Sequence, residues 1–310
     1  AMLLCQHKHR SRLVQAACVP EATPWFSRVD PRDLARAPAG VTFPCFAKPV
    51  RGSFSVFARR VEDLADLRRL TDLGWRDRWF WNLRQRPFEA LLRRHTGSDD
   101  GSRCFLAEEF LSGHHVSVEG FCHGGEVHVM GALEAAMYEG TDSFRRFELP
   151  SRLPADVQRR LADIAQRVVR ATGFDDGLFE VEMFYDPSRD LVRIIEINPR
   201  MCPQFADLFE KVHGANSFDL LLSIATGERP AWTPGAGRFG CAASFVFRIF
   251  EGERVVRLPS EGEVRRARAL FPDLRVHLFA REGKSASARV RALHDCSSVR
   301  IATVHLGGAD

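Results

Sequence analysis

Residues 178–200 read LFEVEMFYDPSRDLVRIIEINPR. Two apolar, β-rich runs flank Asp186-Pro187-Ser188-Arg189-Asp190, a turn-forming cluster, so the stretch reads as a hairpin. Folding it about Arg189 sets Glu182 opposite Glu196 and Glu180 opposite Asn198. Strand side chains alternate, so these four share one face, while Val181, Met183, Ile195 and Ile197 turn the other way into a core. Three carboxylates and a carboxamide on one patch repel each other unless a cation sits between them. Oxygen-only ligands of this kind suit Mg²⁺, which completes its octahedron with phosphate oxygens and water. The competing reading is an exposed acidic sheet face paired with Lys or Arg. Asn198-Pro199-Arg200 follows directly and sets a cation beside the anions.

With 310 residues, 45% of them hydrophobic, the chain can bury a large core distributed over two or three lobes. A net charge of +4 is too mild and too scattered to argue for nucleic acid. The densest basic stretch, Arg76 to Arg94, is interleaved with Trp75, Trp79 and Trp81 and reads as an amphipathic helical region whose aromatics pack inward. Eight cysteines are spread evenly with neither a CxxC pair nor zinc-like spacing, which points to reduced thiols in a cytoplasmic protein. No run approaches the roughly 18 apolar residues of a membrane span. Homodimers are the general expectation for such a protein.

Outward from the hairpin, residues 7–18 read as a helix and Pro24, Pro31, Pro38 and Pro44 punctuate a connection. Thr42–Ala47 reads as a strand entering Lys48-Pro49, followed by Val50-Arg51-Gly52-Ser53 and a second strand through Val61. Glu62–Leu73 has helical spacing, Arg103–Phe110 and His115–Phe121 are strand-like, and His123-Gly124-Gly125-Glu126 is a hairpin turn. Pro154–Thr172 is an amphipathic helix stopping at Gly173, and Ser217–Ala225 is another helix ended by Gly227. Short strands are expected around Val264–Leu270. Paired strands alternating with helices indicate an α+β fold with antiparallel sheets. Neither GxGxxG nor GxxxxGK[ST] is present, so any nucleotide is held in some other way.

Four elements follow in order: Phe46-Ala47-Lys48-Pro49-Val50-Arg51-Gly52-Ser53, then Glu108-Glu109-Phe110-Leu111-Ser112-Gly113, then Glu182, then Glu196-Ile197-Asn198-Pro199-Arg200. Over roughly residues 8–230 this pattern resembles the ATP-grasp superfamily, the carboxylate–amine ligases and their biotin-carboxylase relatives. The resemblance implies two α+β subdomains clasping ATP. It implies a lid over residues 1–107, a second subdomain with the Mg-ATP site over 108–234 and a small C-terminal lobe over 235–310. Lys48 would contact the α-phosphate and adenine edge, and Ser53 belongs to the phosphate loop. Glu108 would accept from the adenine amino group, Glu109 and Phe110 would offer hinge backbone, Leu111 an apolar wall, and His115 would touch the ribose. Glu182, Glu196 and Asn198 match the magnesium ligands, with Mn²⁺ as a substitute ion, and Arg200 matches the arginine that steadies an acyl phosphate. The implied reaction joins a carboxylate to an amine, with amino-acid or peptide-like substrates favoured.

Two departures qualify the resemblance. Phe54 and Phe57 stand where the family's phosphate loop commonly has glycine. The chain also opens almost directly at the helix preceding the central lobe, so a truncated lobe or a separate N-terminal-lobe partner is expected; the family's second ATP lysine falls near Lys8. The substrate reader is expected in residues 134–150, where Tyr138, Arg145 and Arg146 lie close together and an arginine pair would suit a carboxylate or phosphate. Two other readings stay open: an ATP-binding protein without ligase activity, and a catalytic half that needs a partner subunit.

Overall fold

The computed structural model describes residues 1–52, 56–97, 103–250, 253–283 and 298–309. The chain starts with α1 (Met2–Gln6) and α2 (Lys8–Cys18), the latter capped by the His7 ring, which accepts the Arg10 N–H at 3.3 Å. Then come β1 (Phe26–Val29), β2 (Cys45–Pro49), β3 (Arg59–Val61), α3 (Leu64–Thr71), α4 (Trp75–Thr96) and β4 (Phe105–Glu109). The four strands form one antiparallel sheet in the order β1-β4-β2-β3. Alternation sorts its two faces. Phe105 and Ala107 of β4 join Cys45, Ala47, Leu67 and Trp81 in a core beneath the helices. Leu106 and Glu108 point to the opposite side.

The tryptophans of α4 depart from the inward packing expected of them. Trp81 is buried at 8% exposure, but Trp75 and Trp79 are 76% and 63% exposed. The cause is helical geometry: positions 75 and 79 lie one turn apart on one face, and 81 faces away from both.

The second sheet is larger. Its elements are β5 (His114–His123), β6 (Glu126–Met137), β7 (Phe144–Leu149), α5 (Ala155–Thr172), β8 (Gly177–Asp186), β9 (Leu191–Asn198), α6 (Ala206–His213), α7 (Ser217–Ala225), β10 (Cys241–Phe250), α8 (Glu261–Leu270), β11 (Arg275–Leu278) and β12 (Ser298–Gly308). Eight strands run in the order β11-β12-β10-β7-β6-β5-β8-β9. One face is covered by α5, whose Val157, Leu161, Ile164 and Val168 bury against Val116, Val118, Val181 and Met183. The other is covered by α6 and α7 through Leu208, Phe209 and Leu220. Helix α5 stops at Gly173 with φ +67°, a left-handed C-cap that suits glycine.

Two sequence expectations are corrected here. Val264–Leu270 is not strand but the body of α8, because Ser260 and Glu263 form a reciprocal capping box that nucleates a helix. The segment from residue 235 does not stand apart from the second sheet, since β10 pairs with β7 on one side and β12 on the other.

Strands β5 and β6 slip register between Glu119 and Gly120. There a Cβ on Gly120 would lie 2.2 Å from the His128 carbonyl oxygen and 2.4 Å from Phe179 Cζ. Gly120→Ala is therefore expected to destabilise the fold by about 1–3 kcal/mol, the usual cost of overpacking. The check is a lower urea midpoint at an unchanged m-value; an unshifted midpoint would contradict the tight approach.

Candidate active site

The β8–β9 hairpin pairs as its sequence predicts, Glu180 with Asn198 and Glu182 with Glu196. One detail differs. The register slips beyond Glu182, so that Met183 pairs with Ile194 and Ile195 becomes the extra residue of a bulge. Ile194, not Ile195, therefore enters the core. The bulge leaves the Ile195 carbonyl for two cations, accepting from Arg12 Nη2 at 2.9 Å and Lys48 Nζ at 3.4 Å.

Each crowded carboxylate has its own counter-group. Glu196 takes Lys8 Nζ at 2.6 Å. Glu182 accepts from Asn198 Nδ2 at 2.8 Å and faces His115 Nε2 at 3.4 Å. Glu180 accepts from Arg200 Nη1 at 2.9 Å. Burial pushes the Glu196 carboxyl up, but Lys8 and Lys48 outweigh it and hold it down at about 2. Burial and the neighbouring Glu182 charge win at Glu180, raising it to about 7 against the pull of Arg200. Next to it across the sheet, Glu119 is wholly buried, and burial with the Glu180 charge drives its carboxyl well above the ordinary range. Glu119 Oε1 accepts the Cys202 backbone N–H at 2.7 Å, which ties down the turn that carries Arg200.

Facing this hairpin is a second charge cluster on the smaller sheet. Lys48 of β2 and Glu108 of β4 form a close ion pair, and Arg12 of α2 meets the same carboxylate at 2.9 Å. Burial raises the Glu108 carboxyl, yet Arg12 and Lys48 together hold it below its usual value. Burial lowers the Lys48 ammonium, against the opposing charge of Glu108. The family resemblance assigns Glu108 to accept from an adenine amino group. Both its oxygens are instead engaged by Lys48 and Arg12 and it is buried, so it clamps α2 to the smaller sheet.

The remaining predicted residues fall as follows. Glu109 reaches Arg189 at 3.3 Å and Arg193 at 3.4 Å, joining β4 to the hairpin. Phe110 is exposed with the Arg60 guanidinium 4.8 Å from its ring centroid, and Leu111 is half-buried at the start of the link to β5. His115 is buried, edge-on to Phe144 and Phe184, and lies beside Glu182. Ser53 and Phe54 lie outside the described residues. Tyr138, Arg145 and Arg146 do not form the expected reader. Arg145 and Arg146 are consecutive on strand β7 and so point to opposite faces. Arg146 is paired with Glu148 at 2.8 Å, and the Tyr138 hydroxyl donates to the Val246 carbonyl at 2.8 Å. Sequence reasoning missed Arg12 and Glu119. Arg12 lies one helical turn after Lys8 on α2, a spacing that puts both cations on one face.

Hard oxygen donors make the hairpin suitable for Mg²⁺. Glu182 and Glu196 are partly exposed, and Asn198 uses its amide nitrogen toward Glu182 and Glu180, which leaves its carbonyl oxygen as a third donor. Glu119, Glu180 and Cys202 also cluster. That set does not suit the ion: its acids favour protons, and burial pushes the Cys202 thiol up as well.

Fold and site together define a clasp, two α+β units with a buried lysine on one and an acidic, arginine-bearing hairpin on the other. The ATP-grasp domain profile matches residues 41–208, just over half of the chain, and the chain belongs to that family. Over 111 residues, 34% of this chain, it is 35% identical to carnosine synthase 1 of Gallus gallus, of which the stretch is only 12%. Across 99% of its length it shares the fold of an L-amino acid ligase from Bacillus licheniformis, with TM-score 0.69, 17% identity and 67% of that chain covered. The biotin carboxylase domain of a Hydrogenobacter thermophilus 2-oxoglutarate carboxylase aligns with TM-score 0.63 and 15% identity over 99% of this chain and 62% of that one. An N5-carboxyaminoimidazole synthase from Aspergillus clavatus aligns with TM-score 0.65 and 14% identity over 100% of this chain and 70% of that one. Among the described residues no helix is long and apolar enough to cross a membrane.

The Glu180 carboxyl, raised in the fold to about 7, makes a pH prediction. Between its unfolded value, about 4.3, and its folded value the unfolded chain has released a proton that the native chain keeps, so stability falls as pH rises. In EDTA, Glu180→Gln should flatten the decline in melting temperature across that window. An identical slope in wild type and variant would refute the assignment.

Proposed function

We propose that the protein is an ATP- and Mg²⁺-dependent ligase that joins a carboxylate to an amine through an acyl phosphate. Amino-acid or peptide-like substrates are favoured. The observation that carries this reading is the hairpin's division of labour: Glu182, Glu196 and Asn198 gather oxygen donors while Arg200 stands beside them on Glu180. The names of similar proteins agree, since they speak of carnosine synthesis and of L-amino acids.

In this reading Lys48 holds the α-phosphate as a compact point charge. Lys8 lies close enough to Glu196 and to the Gly52 carbonyl, at 2.6 and 3.5 Å, to shift between the carboxylate and a phosphate. Glu182, Glu196 and Asn198 hold Mg²⁺ or Mn²⁺, which supplies charge neutralisation at the phosphate oxygens when bound. A substrate carboxylate oxygen attacks the γ-phosphorus, the bond to ADP breaks, and an amine then displaces phosphate from the acyl carbon. Attack of one anion on another is slow unless cations meet the developing charge, and in this reading Arg200 does that work. Glu180 fixes its guanidinium, and Glu119 fixes the turn behind it. The reading extends to a cytoplasmic enzyme that works as a homodimer or with an N-terminal lobe supplied by a partner.

Incubation with ATP, Mg²⁺ and pairs of common amino acids should release ADP and phosphate. Arg200→Ala should lower kcat by about 10²–10³-fold, the usual cost of removing one charge-stabilising donor, with ATP affinity nearly unchanged. Glu196→Gln should remove the Mg²⁺ dependence of ATP binding measured by calorimetry. Tight ATP binding with no phosphate release from any pair would favour a nucleotide-binding protein without ligase activity.

A further inference from the structure

A cavity of about 900 Å³ opens on the smaller sheet between α3, α4 and the start of β4. Its apolar wall is Leu34, Leu73, Trp81 and Phe105. Phe105 belongs to the helix-covered face of β4, whereas Glu108 belongs to the clasp face, so the sheet itself separates the cavity from the cleft between the two units. Above the apolar wall stand Arg68, Arg78, Arg93 and Arg103. Arg68 is aimed by the carbonyls of Leu34 and Ala35, which accept from it at 2.7 and 2.6 Å. Arg78 donates to the Leu73 carbonyl at 3.1 Å and Arg103 meets Glu89 at 3.4 Å, and both side chains keep 65% of their surface exposed. Arg32 also lines the rim, beside Asp30, so five arginines face three acids there. A guanidinium offers five N–H donors, and those bonds use only one or two on each of Arg68, Arg78 and Arg103. The Trp81 indole N–H, on a residue more than nine-tenths buried, has no partner among the described residues.

We propose that this cavity is a second ligand site, one that takes a small organic anion with a flat apolar body ending in a carboxylate or a phosphate. The volume lies within the range of small-molecule pockets. Trp81 and Phe105, packed edge to face at 5.0 Å and 80° and almost wholly buried, form the aromatic floor of the cavity beneath the exposed arginines. Arginine forks bind planar carboxylates and phosphates in pairs, and they lie at the mouth while the apolar residues lie below. A wholly apolar ligand would leave the guanidinium donors unused, and a bare anion would leave the apolar wall wet. The site is distinct from the cleft of the ligase reading, because its arginines stand on the helix-covered side of the smaller sheet with Phe105 and Trp81.

The test is calorimetric titration of the intact protein, saturated with Mg-ATP to occupy the cleft, using naphthoate, naphthyl phosphate and uncharged naphthylmethanol. At least one anion should bind with one molecule per chain, and the tighter of the two identifies carboxylate or phosphate as the natural head group. The neutral alcohol should bind at least about tenfold more weakly, as loss of a charged fork contact requires. The double variant R78E/R103E should lose the anion's affinity by a similar or larger factor while its ATP titration is unchanged, and Leu73→Trp, which fills the cavity, should abolish anion binding at an unaltered melting temperature. Absence of binding by both anions, equal binding of the alcohol, or an R78E/R103E variant that binds as wild type would each overturn the proposal.

Discussion

Electrostatic repulsion on one sheet face governs this molecule. Alternation along β5, β8 and β9 forces Glu119, Glu180, Glu182 and Glu196 onto the same side, within side-chain reach of one another. Like charges at such spacing raise one another's proton affinity, and the fold resolves the conflict in a graded way. Glu196 stays ionised because Lys8 meets it, Glu182 receives an amide and an imidazole, Glu180 is held by Arg200 yet titrates near neutrality, and Glu119 is left with a single backbone donor. The gradient runs from charged at the open end of the patch to neutral at its buried end. A cation entering from the open end therefore meets ionised oxygens first.

One of the cations that make this possible, Lys8, comes from α2, which also spans both sheets. Its Lys8 answers the hairpin at Glu196, and its backbone N–H answers the smaller sheet's loop at the Val50 carbonyl, 2.7 Å away. One turn later Arg12 closes on Glu108 and on the carbonyl exposed by the Ile195 bulge. Removing one member of a buried ion cluster strands the others in low dielectric, typically at about 3–5 kcal/mol. That makes Arg12 a structural tie as firm as a core residue. The cluster around Asp207, Lys211, Arg275 and His305 looks comparable, but it ties α6 to the last strands rather than to the smaller sheet.

The hairpin was legible in the sequence because it is local. A turn cluster between two alternating runs determines which residues oppose one another, and the pairings of Glu180 with Asn198 and Glu182 with Glu196 follow from counting. The bulge at Ile195 was not legible, since it depends on Arg12 and Lys48 arriving from distant elements to donate to its carbonyl. Glu108 shows the same limit. Its place beside a strand lysine was visible, but its capture by Arg12 required a helix 96 positions earlier to fold across it. Arg145 and Arg146 failed for a different reason: adjacency in sequence reads as a pair only in a loop, and β7 is a strand.

The phenylalanine at position 57, unusual for a phosphate loop, also finds a physical account. Its backbone adopts φ +57°, the left-handed conformation for which glycine is the ordinary choice. A side chain there costs roughly 1–2 kcal/mol, so something must offset it. The offset is visible in the ring, which stacks on Trp81 at 5.8 Å with an interplanar angle of 20°. Trp81 in turn stands on Phe105 and borders the arginine-rimmed cavity. The loop residue is thus anchored to the helix-covered core of the smaller sheet, and its bulk points toward α4. A glycine at this position would relieve the backbone but lose the stacking on Trp81 of α4. The same substitution that brings the sequence closer to the family's usual composition would therefore remove the contact that holds residue 57 against α4.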